Sequence, residues 1–169
     1  MGAPSFYIEF YGLAARALEG RGSGYRQSGM TGPVELVLPP RPTSAVRARQ
    51  ELGVFRDVLG ETRLADLRLL ISELVVEAIG GFGGVPSESI TVRANGDSDR
   101  VRAAVRAAAS SFPTSSTSPQ PGEAGWSLYL VERVSDSWGL TRDHGSATVW
   151  LELSVAGGGT SPRRTAGTS

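Results

Sequence analysis

The sequence predicts an α/β two-layer sandwich, a mixed and mostly antiparallel sheet with helices packed on one face. Three observations carry that prediction. Two apolar helical segments follow one another between residues 45 and 79. Two strand-like runs flank Asn95-Gly96-Asp97, the turn chemistry of an antiparallel hairpin. A last helical segment is then followed by a second pair of strand-like runs.

Taken in order, Val34-Glu35-Leu36-Val37-Leu38 has the length and β-branched content of a strand, and Pro39-Pro40 ends it. Pro42 with Thr43 or Ser44 supplies the start signal for a helix over residues 45–59, whose buried stripe is Val46, Leu52, Phe55 and Leu59. Gly60 stops it. A second helix begins near Thr62 and carries Leu64, Leu67, Leu70, Ile71, Leu74 and Val75, the most apolar run of the chain. This is the expected central core helix, and Gly80-Gly81 ends it. Residues 89–93 and 100–106 are the two hairpin strands, although the alanines of the second also suit a helix. A helix over residues 126–134 and strands over 138–142 and 147–153 complete the domain.

The polar stretch at 110–124 is long for a loop inside a compact fold and reads as lid-like. Gly/Ser/Pro-rich ends bury too little apolar surface to offset ordering entropy. Residues 1–33 are therefore expected to be a flexible N-terminal extension, with a short helix over residues 13–18, and 156–169 a disordered tail. The folded domain is expected over residues 34–155.

Composition narrows the chemistry. The chain of 169 residues holds 17 basic and 17 acidic side chains, one histidine and no cysteine. With a net charge of +0 it has no global field to draw nucleic acid or an anionic bilayer. Every basic residue is arginine, so a phosphate-binding loop that needs a lysine ammonium is excluded, as is Schiff-base chemistry. Thiolate nucleophiles are excluded, and neither a multi-histidine metal site nor a histidine-centred triad has material to build from. The aromatic run at residues 6–11 carries Glu9 and lacks both a basic leader and a membrane-length apolar span, so a cytoplasmic location is expected.

On a helical wheel Asp66, Glu73 and Glu77 fall within about 40° of one another, beside the apolar face. Two readings stay open: a solvated acidic face, or the border of a pocket for a metal or phosphate group. Trp138 and Trp150 suit core or sheet packing. His144 beside Gly145 suits a surface turn. Arg47, Arg49, Arg56, Arg63 and Arg68, interleaved with Glu51, Asp57, Glu61 and Asp66, suit a mixed ion-paired surface.

The run Leu69-Leu70-Ile71-Ser72-Glu73-Leu74-Val75-Val76-Glu77-Ala78-Ile79 is followed by Gly125-Trp126-Ser127-Leu128, then Trp138-Gly139 and Thr148-Val149-Trp150. This order resembles the anti-sigma-factor serine kinases of the GHKL (histidine kinase-like) ATPases. The resemblance covers about residues 34–153 and implies that family's sheet-and-helix sandwich. It puts Glu73 at the general-base position and Glu77 where the family has a Mg²⁺-ligating asparagine. Ala107 and Ala109 stand where it has an adenine-binding aspartate and a glycine. Gly125, Ser127 and Leu128 match a Gly-x-Gly-Leu phosphate loop, with serine for the second glycine. Thr148 matches a threonine near the adenine, and Ala147 replaces the lysine before it. Alanine at 107 cannot accept the adenine hydrogen bond, at a cost of about 1–3 kcal/mol if that donor is left unpaired.

With the departures from the family motifs at 77, 107 and 109, the resemblance points to a regulatory protein that docks a sigma factor or an anti-sigma antagonist in transcription regulation, a pseudokinase with ATP binding lost or weakened. With the balanced charge, no direct nucleic-acid or membrane contact is expected, and a homodimer stays open. The alternative is an active serine/threonine kinase that uses ATP and Mg²⁺ to phosphorylate such an antagonist, with Glu73 as base, Glu77 as metal ligand and 110–124 as lid. A third is that the pocket at 107 and 109 takes a different small ligand.

Overall fold

The computed structural model describes residues 31–80, 87–113, 119–121, 123–155 and 163–164. The helix expected over 13–18, and residues 114–118 and 122 of the expected lid, lie outside the described residues.

The sheet has strand order β1-β2-β3-β5-β4-β6, made by β1 (Thr31–Leu38), β2 (Ile90–Gly96), β3 (Arg100–Ala108), β4 (Ser137–Asp143), β5 (Ser146–Ser154) and β6 (Arg163–Arg164). The first five pair antiparallel, and the two-residue β6 runs parallel to β4. This is the mixed, mostly antiparallel sheet that the sequence predicts. Two boundaries need correction. β1 begins at Thr31, inside the segment read as a flexible extension, because pairing with β2 satisfies its backbone. Residues 163–164, read as part of a disordered tail, pair with Ser137 and Trp138.

Helix α1 (Pro42–Glu51) starts with Pro42 in the first turn, and the Ser44 hydroxyl donates to the Pro39 carbonyl at 2.6 Å. It tightens into a 3₁₀ turn at Leu52–Phe55. Helix α2 (Arg56–Gly80) follows, broken at Gly60, whose φ of 70° lies in the left-handed region where the first helix was expected to stop. The buried stripe of α1 is Ala45 and Ala48, continued by Leu52, Phe55 and Leu59. Val46, expected in that stripe, is 52% exposed, since a helix already seated by Ala45 and Ala48 turns the residue between them outward.

Alternation along the strands divides the sheet into two faces. Val101, Val105, Ala107, Val149, Leu151 and Leu153 point into the core beneath α2. On the other face Trp150 pairs across from Gly139 and Ala104. Its indole lies so close to Gly139 that a Cβ there would stand 2.6 Å from Nε1. The small residue at 139 is what lets Trp150 lie flat on the sheet.

Helix α3 (Trp126–Val134) packs against α2. Arg63 of α2 holds its C-terminal end: Nη1 donates to the Val134 carbonyl at 3.1 Å, and Nη2 to Asp136 at 2.6 Å. Its Nε donates to the Ser154 carbonyl at 3.1 Å, and the other Asp136 oxygen accepts from the Ser154 N–H at 2.6 Å. One guanidinium thus joins α2, the end of α3, the start of β4 and the end of β5. A cation there also suits the negative end of the helix dipole.

Two substitutions test these contacts in urea titrations. Arg63→Ala is expected to cost about 2–4 kcal/mol, because it strands a half-buried Asp136 and two carbonyls. Gly139→Ala is expected to cost about 1–3 kcal/mol through the clash with Trp150, and to alter indole fluorescence in the folded state.

Candidate functional site

Burial sorts the three carboxylates that share one stripe of α2. Asp66 pairs with Arg63 at 3.2 Å. Glu73 is half-buried and has no hydrogen-bond or ion-pair partner among the described residues. Glu77 is only 4% exposed. The solvated acidic face is therefore the wrong reading at Glu77: the side chain points beneath α3, and a charge buried there needs donors.

It has three. Glu77 Oε1 accepts from the Gly125 N–H at 2.7 Å, and Oε2 from the Ser127 N–H at 3.1 Å. The Ser127 hydroxyl also donates to Oε2. These N–H groups open α3, where the first turn of any helix leaves its donors without intrahelical partners. The N-cap position is Gly125, with a left-handed φ of 87° and no side chain to cap with. The carboxylate of a neighbouring helix supplies the missing cap. It also stands at the positive end of the α3 dipole, where an anion is stabilised. Three donors converging within one turn are the arrangement that would hold a phosphate oxygen, and here they hold the protein's own carboxylate.

Leu128, next in the matched loop, turns into the core, and Ser127 is buried with it. Ala107 and Ala109 lie elsewhere, at the end of β3, and line a cavity of about 570 Å³ with Ser87, Thr91, Arg106 and Ser146. Thr148 is on the opposite face of the sheet from Ala107. It pairs across from Arg106, while Ala107 pairs with Ala147, and neighbouring strand residues alternate between faces. The structure thus brings together Glu77, Gly125 and Ser127, and does not place Thr148 beside Ala107. The metal expectation at Glu77 meets a carboxylate whose two oxygens already accept from N–H and O–H donors. No cluster of three or more potential metal ligands occurs among the described residues.

Other contacts at this end of the sheet carried no sequence signal. The buried hydroxyls of Ser87 and Ser111 lie 3.2 Å apart, and Ser87 Oγ accepts from the Ala108 N–H at 2.8 Å. Arg142, read only as a strand end, donates to the Ala109 and Phe112 carbonyls and so fixes the start of the 110–124 stretch. His144 lies in the exposed turn between β4 and β5, as expected of a surface histidine. Among the described residues no helix is long and apolar enough to cross a membrane.

No protein-family model matches the chain. No curated protein matches it either. Among solved structures it is similar to the RsbU and RsbW domains of Rv1364c from Mycobacterium tuberculosis, with a TM-score of 0.57 and 21% sequence identity. The match covers 82% of this chain and 35% of that chain, so this chain spans about a third of the length of the chain it matches. At that identity the likeness is one of fold.

Glu77→Ala is expected to destabilise the domain by about 3 kcal/mol, because two N–H groups and a hydroxyl lose their acceptor in a buried setting. Glu77→Gln keeps one acceptor oxygen and is expected to lose about half as much. Urea titration of both variants checks the order, and the amide resonances of Gly125 and Ser127 are expected to move most.

Proposed function

We propose that this chain is a regulatory domain of the anti-sigma-factor-kinase type that acts by docking a protein, a sigma factor or an anti-sigma antagonist, with its nucleotide site closed from within. The observation that carries the reading is the Glu77 carboxylate seated on the Gly125 and Ser127 amides. A nucleotide phosphate drawn to the same donors has to displace that carboxylate or lie beside it. Two like charges about 4 Å apart repel by roughly 4 kcal/mol near a protein surface. The residues as arranged do not fit a magnesium nucleotide. Glu77 is already committed to three donors, Ala107 offers no side-chain acceptor for an adenine, and Thr148 faces away. The fold shared with the RsbU and RsbW domains of Rv1364c supports this choice of class.

The second reading, an ATP-dependent serine/threonine kinase, draws on Glu73. It keeps a half-buried carboxylate with no partner among the described residues, one turn from Glu77, at the position that the family resemblance gives to a general base. Calorimetric titration of the chain with ATP and ADP, with and without Mg²⁺, separates the two. The expected result is no heat and no thermal stabilisation at millimolar nucleotide. Glu77→Asn combined with Ala107→Asp is expected to gain nucleotide binding, by removing the resident anion and restoring the acceptor. Micromolar, Mg²⁺-dependent binding by the unaltered chain would put the kinase reading first.

A further inference from the structure

At one end of the sheet, where β2 begins, β3 ends and β4 turns into β5, lies the cavity of about 570 Å³. Its volume falls among those of sites that enclose small molecules, about 300–1,000 Å³. Ser89, Thr91, Ser110 and Ser146 give it a lining rich in hydroxyls, with Arg106 as cation and Glu88 as anion among the described residues.

Strand register sets the cation among hydroxyls. Arg106 stands directly across from Thr91 of β2 and from Thr148 of β5, and residues directly opposite in an antiparallel pair share one face. Thr148 in turn pairs with Thr141 of β4, so one row of three threonines and an arginine crosses four strands. Arg106 Nη2 donates to the Ser146 hydroxyl at 3.3 Å, which turns the guanidinium toward the end of the sheet where the cavity lies. Val105 and Ala107 belong to the core, so alternation puts Arg106 on the face away from α2. None of Glu77, Gly125 and Ser127 lines the cavity, and it is separate from the donors that Glu77 occupies.

This set of groups selects a ligand by its chemistry. A guanidinium presents parallel N–H donors that match two oxygens of a carboxylate or a phosphoryl group. A carboxylate is then used up, whereas a phosphoryl group keeps a third acceptor oxygen for the hydroxyls beside the arginine. Glu88 on the same lining repels further negative charge, which disfavours a chain of phosphates.

We propose that this cavity binds a phosphate monoester, with the phosphoryl group held by Arg106 and the hydroxyls of Thr91 and Ser146. The inference stands whether or not nucleotide binds at the start of α3.

Amide NMR spectra of the full chain, titrated with inorganic phosphate, glycerol 3-phosphate and a tripeptide with phosphoserine at its centre, test it against acetate and glycerol. The expected result is saturable shifts centred on the Thr91, Ser110 and Ser146 amides, complete by about 20 mM phosphate. Acetate is expected to bind about tenfold more weakly. The two esters distinguish the source of the ligand: tighter binding of glycerol 3-phosphate supports a small phosphorylated molecule, tighter binding of the peptide a phosphorylated protein. Arg106→Gln is expected to weaken every phosphate about tenfold. Arg93→Gln, on the same face but paired with Glu35 at 2.7 Å, is expected to change binding less than about twofold. Thr91→Val, expected to weaken binding about threefold, replaces the arginine variant should that not fold. No saturable shift at those amides would overturn the proposal. So would acetate or glycerol acting as strongly as phosphate, or phosphate binding unchanged by Arg106→Gln or, in its place, by Thr91→Val.

Discussion

Helix α3 is held at both ends by one neighbour. It has nine residues, fewer than the roughly 12–15 below which an isolated helix is marginal in water, so its stability comes from what it packs against. α2 supplies an anion, Glu77, to its N-terminal amides and a cation, Arg63, to its C-terminal carbonyl. The pairing follows the α3 dipole at each end and requires the two helices to run antiparallel. Arg63 then extends the constraint through Asp136 to Ser154, so that the last hairpin of the sheet is positioned by the same helix pair. The packing of the layer, the geometry of the candidate site and the account of its function all rest on this arrangement.

The constraint also decides what the site can do. Backbone donors at the start of a helix form an anion site because they are otherwise unpaired. Once a buried carboxylate occupies them, the same donors become part of the fold's stability, and a ligand must compete with that stability. The described residues present two outer surfaces around this internal carboxylate. One is the sheet face that carries Trp150. The other is the helical layer with its exposed aliphatics.

Much of the fold was legible because its signals are local. Helix α3 was read from sequence at its observed bounds, and the Asn95-Gly96-Asp97 turn marked the β2–β3 hairpin despite the alanines of β3. Val46 was misplaced because apolar periodicity cannot tell which of two adjacent stripes meets the sheet, and small alanines outcompeted it for the close approach. The site was less legible. Glu77 was found as a matched position, yet its role depends on Gly125 and Ser127, which lie 48 and 50 residues further on in sequence. Arg63 looked like one of several surface arginines, and only the tertiary fold shows that it reaches Val134 of α3, Asp136 just before β4 and Ser154 of β5. The face on which Thr148 lies follows from strand register, which a one-residue step inverts.

The most direct test of the central claim is hydrogen exchange at the Gly125 and Ser127 amides of the unaltered chain, followed by NMR. The expected result is strong protection, with opening free energies near that of global unfolding, unchanged by millimolar Mg²⁺-ATP, because an internal carboxylate holds both N–H groups. Rapid exchange in the free protein, or protection that appears only when nucleotide is added, would show that the donors are open to a ligand and would contradict the account.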